Sequence, residues 1–483
     1  MFFSRFQCPA LLSRVAGVVA VSVACTFAHL CRAESDADST IIRSETPAYE
    51  FSESDEKLLD DIERGCFNYL WDAVGTPGKL AKDRRTTLVA SVAGIGFQLS
   101  SLPIGVERGW ITRDQGEERA LTVLRTLRDA ANRRDGLFLH FVNADDGKIF
   151  PPYNNEISTV DTALFLAGAL PAASYFKGEV ATIVDSFAAA ANWREFQRSK
   201  SGLISFGWKP QNNADIAGDG QYMDHEWHLA TDEERLIYFI AVGSPTPEHA
   251  IEPASYYKTE RQFGQHKDGP KFVMSWNGLL FTYFFSHCWI NYRDLPADNP
   301  QQFGVDAPDV DWFENSRRAT LAHRQACIEY ASEYRTFAED RWGLSPCMAQ
   351  AGDRPGWDYV VQELQPNIRK VDSLVKGSIA PYAAGSSIMF TPAESMAALR
   401  AFRDLKREDG KPLVWRDPHE GGFAFADSFN LDQKVACDDN VAIDVGPFLL
   451  AIENVRTGLI WKLFMEHEYA RRSSERLKLF PER

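Results

Sequence analysis

Apolar residues recur at helical spacing along most of the chain. From Ser54 onward, Leu58, Leu59, Ile62, Cys66, Tyr69 and Leu70 form one stripe that stops before Gly75-Thr76-Pro77-Gly78, which predicts an amphipathic helix closed by a turn. The same spacing predicts helices over 86–100, 113–133 (with Leu121, Leu124 and Leu127 on one stripe), 179–194, 277–290, 311–333 and 446–470. Two more begin at recognisable caps. Thr231-Asp232-Glu233-Glu234 opens a helix that Gly243-Ser244-Pro245 stops, and Thr391-Pro392-Ala393-Glu394 sets Thr, Pro and Glu at the capping, first and third positions of a helix reaching residue 407. Residues 136–152 and 341–390 lack a helical period and read as loops, the first with short extended pieces. Helix follows helix without βα alternation, so the expected class is all-α, with roughly ten to twelve helices joined by long polar loops.

One further helix is bound up with a polar junction. The stretch Glu156-Ile157-Ser158-Thr159-Val160-Asp161 runs directly into Thr162-Ala163-Leu164-Phe165-Leu166-Ala167-Gly168-Ala169-Leu170. Small residues among bulky ones predict a helix buried on most sides. Ser158 is placed as N-cap with Asp161 at the third helical position, a capping-box arrangement, although Asp is short for the reach back that Glu or Gln makes. Asp161 therefore has two readings, a cap and a cleft carboxylate. Glu156 likewise reads as a solvated loop carboxylate or as the edge of a polar site.

Composition acts mainly by exclusion. Of 483 residues, 45% are hydrophobic and 25% charged, a globular balance, and the formal net charge of -15 argues against nucleic acid or an anionic membrane surface as partner and for a neutral substrate. Residues 1–33 read as a cleaved signal peptide: Arg5 and Arg14 precede an apolar run from Val15 to Phe27, too short for a membrane span, and Cys31-Arg32-Ala33 offers a cleavage site. A periplasmic or secreted protein is expected; lipid anchoring at Cys25 is the weaker alternative, because the residues before it make a poor lipobox. Residues 34–53 are polar and expected to be flexible, leaving 54–483 as a single domain, monomeric and without a membrane span. The remaining Cys66, Cys288, Cys327, Cys347 and Cys437 are odd in number and form no CxxC pair, so buried thiols are expected.

The chain has no HExxH, P-loop, GxGxxG or GxSxG motif, and Asn143-Ala144-Asp145-Asp146-Gly147 lacks the calcium-loop spacing and reads as a turn. Neither metal nor cofactor is expected. Carboxylates among aromatics remain, the inventory of glycoside hydrolysis: one carboxyl protonates the leaving oxygen, a second group activates water or attacks the sugar, and aromatic faces stack on sugar rings. Glu233 is the first acid candidate, since the Thr231–Glu234 spacing gives Glu234 a capping role and leaves Glu233 without one. Asp444, within Ala442-Ile443-Asp444-Val445-Gly446-Pro447, sits in an apolar setting where a carboxylate needs a partner or a task; Asp427, Asp438 and Asp439 are alternatives. Trp208, Trp227, Trp276, Trp289 and Trp342 read as sugar platforms or as core, and His287, beside Cys288 and Trp289, as a buried histidine or a site residue.

From about residue 54 to 481 the chain resembles the bacterial glycoamylase (putative glucoamylase) domain, whose characterised hydrolases are endo-β-1,2-glucanases with an (α/α)6 barrel. The resemblance rests on Glu156-Ile-Ser-Thr-Val-Asp161-Thr-Ala-Leu, Gly207-Trp208-Lys209-Pro210, Ala241-Val-Gly-Ser-Pro-Thr246 and Phe285-Ser-His-Cys-Trp-Ile-Asn-Tyr-Arg293. It continues through Phe313-Glu-Asn-Ser-Arg-Arg-Ala-Thr-Leu-Ala322, Phe390-Thr-Pro-Ala-Glu-Ser395, Ile443-Asp-Val-Gly-Pro447 and Glu453-Asn-Val-Arg-Thr-Gly-Leu-Ile-Trp-Lys462. It implies an (α/α)6 toroid with loops forming a cleft at one end, and an inverting, cofactor-free hydrolase that cuts β-1,2-glucan internally to sophorooligosaccharides. It points to Glu233 as acid, to Asp161 and Glu156 as cleft carboxylates and to Asp444 as base; Trp208, Trp227, His287, Trp289 and Arg293 are the expected substrate-binding residues. One departure stands out: the family usually reads Tyr-Asn-Glu-Ala where this chain has Thr231-Asp232-Glu233-Glu234. The alternatives are a transglycosylase, as the same domain forms in cyclic β-1,2-glucan synthases, a hydrolase for another glucan, or an inactive glucan-binding relative.

Overall fold

In chain order the helices are α1 (Glu53–Asp72), α2 (Val92–Glu107), α3 (Arg113–Ala130), α4 (Thr159–Phe176), α5 (Gly178–Ala190), α6 (Asp232–Val242), the single turns α7 (Ala254–Tyr257) and α8 (Phe281–Phe284), α9 (Trp312–Glu329), α10 (Pro381–Ser386), α11 (Pro392–Asp404), α12 (Ala442–Arg456), α13 (Leu459–Glu466) and α14 (Glu468–Arg476). The computed structural model describes residues 41, 43, 49–150, 156–212, 215–350, 356–372 and 375–480. The expected signal peptide, 1–33, lies outside the described residues, as does most of 34–53. Ile41 and Arg43 are nonetheless tied down: Asp311 N–H donates to Ile41 O, and the Arg43 guanidinium reaches Tyr292 O and Asp311.

Two kinds of helix make two layers. α2, α4, α6 and α12 bury nearly every position, whereas α3, α5 and α11 bury one stripe and α1 is buried all round only in its second half, Asp61 to Leu70. That is the difference between a helix enclosed by others and one covering a core from outside. The enclosed set is contiguous: α2 packs on α4 and α12, α4 on α6, α6 on α8, and α10 on α12, while α1, α3, α5, α9 and α11 lie against α2 and α12, α2, α4, α8 and α10 respectively.

The small residues that follow the polar junction explain the tightest of these contacts. A Cβ at Gly168 would lie 2.0 Å from Gly96 O, and the Ser100 hydroxyl donates to Gly168 O at 2.9 Å, so α2 and α4 meet backbone to backbone.

Several boundaries differ from expectation for identifiable reasons. The helix predicted over 86–100 begins only after a short strand at Val89–Ser91 and continues through Pro103 to Glu107. The pattern over 446–470 is three helices, broken at Gly458, whose φ of +70° suits glycine, and again at His467. The segment 277–290 holds only α8 and a following turn of 3₁₀ helix. Seven small antiparallel sheets of two or three strands occupy the loops among the described residues, so the protein is predominantly helical rather than all-α. Strands of two to four residues are too short to register as a period-two pattern, yet they pair the backbone groups of long loops. Cys66, Cys288, Cys327, Cys347 and Cys437 are all buried and unpaired. Among the described residues no helix is long and apolar enough to cross a membrane.

Candidate active site

The starts of the enclosed helices are linked to one another by loop backbone. His140 N–H donates to Glu156 O, and Val92 N–H, at the start of α2, donates to His140 O. Ala442 N–H, at the start of α12, donates to Asp83 O. Thr159, the first residue of α4, donates its hydroxyl to Ser205 O and Phe206 O and accepts from the Trp227 indole at 2.8 Å, just upstream of α6. Asp83, Glu156, Asp161 and Glu233 thereby come within electrostatic reach of one another, directly or through His140, while Asp444, at the start of α12, shares the Tyr69 hydroxyl's surroundings with Asp83.

At α4 the Ser158 hydroxyl accepts from Asp161 N–H and donates to Asp161 Oδ2. The return bond to the cap backbone is missing. Side-chain length is not the reason, because Asp55 completes such a box with Ser52 at α1. The Asp161 carboxylate is committed elsewhere: it accepts from Ala93 N–H near the start of α2 and faces His140 Nε2 at 3.7 Å. His140, stacked on Phe141, turns its other ring nitrogen to Glu156 at 3.5 Å, and Lys209 Nζ lies 3.3 Å from the other Glu156 oxygen. Burial pushes the Glu156 carboxyl up, but the His140 hydrogen bond and charge, with Lys209, outweigh it and hold the group at about 2. Burial opposes a charge on His140 too, and the Asp161 and Glu156 carboxylates overcome it and raise that imidazole. Asp161 is raised by burial despite His140, and Asp83 by burial despite Arg84.

The start of α6 works in the opposite sense. Thr231 makes no cap, and its buried hydroxyl has no partner. Glu234, expected to close the box, bonds its own backbone N–H and keeps one oxygen buried without a donor; burial raises it well above the carboxylate range. Asp232 is buried and accepts from Arg235 and from the Ser286 hydroxyl and backbone N–H. Glu233 alone of the three is half-buried. Burial, then the charges of Asp161 and Asp232, push its carboxyl up to about 8. At neutral pH Glu233 holds its proton, the state a general acid needs.

Asp444 is only 1% exposed. Its Oδ1 accepts from Tyr359 Oη at 2.8 Å, its carboxyl is in hydrogen-bond contact with Asp427, and burial followed by the Asp427 charge raises it well above the carboxylate range. Of the alternatives, Asp438 pairs with Arg416 at the surface and Asp439 accepts from Thr86.

The aromatic and basic candidates divide. Trp227 is half-buried, stacked 3.9 Å from Phe206 and bonded to Thr159 at the start of α4. Trp208 is buried under the Arg134 guanidinium, and Trp289 is fully buried, 5.0 Å from Phe97 with its N–H on Ser100 Oγ. Neither has a face free for a sugar, so both are corrected to core residues, as is Trp342. His287 is buried against Ser316, Tyr292 and Phe390, with its ring 3.5 Å from Asp232, and is a core residue rather than a substrate-binding one. Arg293 is exposed, but it spends its guanidinium on Met389 O and the Phe313 ring. Sequence reasoning missed His140, Asp83, Lys209 and Tyr359. Strand alternation was a usable signal for Lys209, since in Gly207–Pro210 it must face opposite to buried Trp208; His140 had none, being joined to Glu156 only through loop pairing.

A family model described as Glycoamylase, putative glucoamylase, matches residues 224–468. An exo β-1,2-glucooligosaccharide sophorohydrolase (non-reducing end) of Parabacteroides distasonis is 27% identical over 462 residues, covering 88% of this chain; the chain spans 58% of that protein's length. Among solved structures, a putative glucoamylase from Bacteroides uniformis superposes with TM-score 0.72 at 26% identity, covering 89% of this chain and 98% of the other. An endo-β-1,2-glucanase from Chitinophaga pinensis, in complex with sophorotriose and glucose, also gives TM-score 0.72, at 24% identity, covering 87% and 97%, which speaks to the fold.

Proposed function

The chain belongs to the Glycoamylase family, and on that premise we propose that it is a glycoside hydrolase cutting β-1,2-linked glucan internally, with inversion, to sophorooligosaccharides. The observation that carries the reading is the setting of Glu233: a half-buried carboxyl at the start of α6, pushed up to about 8 by burial and by the charges of Asp161 and Asp232, is suited to act as a general acid at neutral pH. In this reading Glu233 protonates the departing glycosidic oxygen, and Asp444 takes the proton of the attacking water. Asp161 and Glu156, with His140 and Lys209, bind sugar hydroxyls, and Trp227 offers a ring face. The two carboxyls do this without a cofactor. The six apolar segments α2, α4, α6, α8, α10 and α12 are read as the inner ring of an (α/α)6 toroid, a single catalytic domain. Export under the signal peptide at 1–33, to the periplasm or outside, belongs to the same proposal, and the substrate is a neutral polymer.

An exo mode is the second reading, favoured by the name of the Parabacteroides relative. Linear β-1,2-glucan incubated with the protein separates them. A ladder of sophorooligosaccharides, absent with Glu233→Gln, is expected; sophorose alone from the first time points would establish exo action. Cyclic or lengthened products would establish transfer. No action on this glucan alongside cleavage of starch would overturn the substrate assignment.

A further inference from the structure

Asp444 raises a difficulty for any account in which it acts as base. It is nearly sealed from solvent, and it touches a second buried carboxyl, Asp427, which is 3% exposed. Each group has one oxygen satisfied by a donor. Asp427 Oδ2 accepts from Met348 N–H at 2.7 Å and Asp444 Oδ1 from Tyr359 Oη at 2.8 Å. Each also keeps one oxygen, Asp427 Oδ1 and Asp444 Oδ2, buried without a well-placed donor, although Val441 N–H approaches Asp427 and the Tyr382 hydroxyl approaches Asp444, while the two carboxyls are in hydrogen-bond contact. Two acceptors cannot hold each other without a proton between them, and two adjacent buried carboxylates cannot both ionise.

We propose that Asp427 is a positioning residue for Asp444: the pair holds one proton between Asp427 Oδ1 and Asp444 Oδ2, and exchanges a second with the cleft through the Tyr359 hydroxyl. This rests on the reading of Asp444 as base. Half-buried Tyr359, on the hairpin of Cys347–Ala349 with Asp358–Val360, is the group through which a sealed carboxylate reaches the reacting water. As water attacks the sugar, its proton goes to Tyr359 Oη while the Tyr359 proton moves to Asp444 Oδ1. The pair passes from one proton to two and from one negative charge to none, and Tyr359 ends neutral. Solvent restores the pair after product leaves. The groups facing the pair are Tyr69, Tyr382, Asp439 and the thiols of Cys347 and Cys437, together with Tyr359. Burial, with Asp439 adding to it, raises Asp427, in keeping with a shared proton.

Asp427→Asn tests the shared proton. Its amide would donate to Asp444 Oδ2 and remove the neighbouring carboxyl, so Asp444 should ionise more easily. The acid limb of kcat/KM on linear β-1,2-glucan should move down by about one pH unit or more, with KM unchanged. In the infrared difference between wild type and Asp427→Asn, a carboxylic-acid C=O band that titrates with the acid limb, distinct from that of Glu233 at about pH 8, should be lost from the variant. A lost fold without such a shift, judged by thermal unfolding, or an unshifted pH profile with the band retained, overturns the proposal. Tyr359→Phe should lower kcat about a hundredfold with little change in KM, and an unaltered kcat overturns the relay. If the wild type leaves β-1,2-glucan intact, the functional reading fails, but the infrared titration still decides whether the carboxyls share a proton.

Discussion

Glu156 and Glu233 are the same side chain, each within reach of a helix start, and they sit on opposite sides of neutrality. Glu156 is brought to about 2 because His140 and Lys209 outweigh its burial, whereas Glu233 is raised to about 8 because its burial is joined by the negative charges of Asp161 and Asp232. The helix dipole favours the anion in both places by about 0.3–1 kcal/mol. A raise from 4.5 to about 8 is several times that, at about 1.4 kcal/mol per unit. Local cations and carboxylates therefore decide the division of labour: one glutamate is a standing anion, the other a standing acid.

The largest test of that contrast exchanges each carboxyl for its amide. Glu233→Gln should cost about 10²–10⁴-fold in kcat, because the transferable proton is gone. Glu156→Gln should cost roughly tenfold, because only hydrogen bonds to a charged group are lost. Equal losses in kcat, measured on linear β-1,2-glucan, would erase the distinction.

A pH profile sharpens it next. Glu233 must be protonated to act, so kcat/KM should fall as pH rises through about 8. Asp161→Asn removes a negative charge that raises Glu233, so the alkaline limb of the residual activity should move to lower pH by about one unit. A limb that moves upward, or stays, would mean that Asp161 does not set the acid.

The smallest effect is expected at Lys209. Its ammonium is partly exposed and lies 3.3 Å from Glu156, so Lys209→Met should change kcat/KM at neutral pH by only about two- to threefold. The change should grow on acidification, because Glu156 loses part of what holds it low; a flat ratio from acid to neutral pH would remove Lys209 from the site.

Much of this was legible along the chain. Apolar residues all round predicted the enclosed α4, stripes predicted α1 and α3, and the carboxylates Glu156, Asp161, Glu233 and Asp444 came from motifs. The expected Thr231–Glu234 box was not formed, since Glu234 bonds its own N–H. The Thr391 cap likewise failed: its hydroxyl turns back to Ser387 O, leaving Pro392 to start α11 without a side-chain cap. Tryptophans misled, because a large ring looks alike in sequence whether it lies beneath Arg134 or beside Phe206.

The sequence by itself determined that α4 is enclosed, since the count of apolar faces is local, and which segments bear carboxylates. The tertiary structure decided that α2 is the helix α4 meets, with Gly168 against Gly96. Only the tertiary structure decided which carboxyl holds a proton. Protonation depends on neighbours distant along the chain, His140 for Glu156 and Asp161, Asp161 for Glu233, Asp427 and Tyr359 for Asp444, and on how far folding strips water from each.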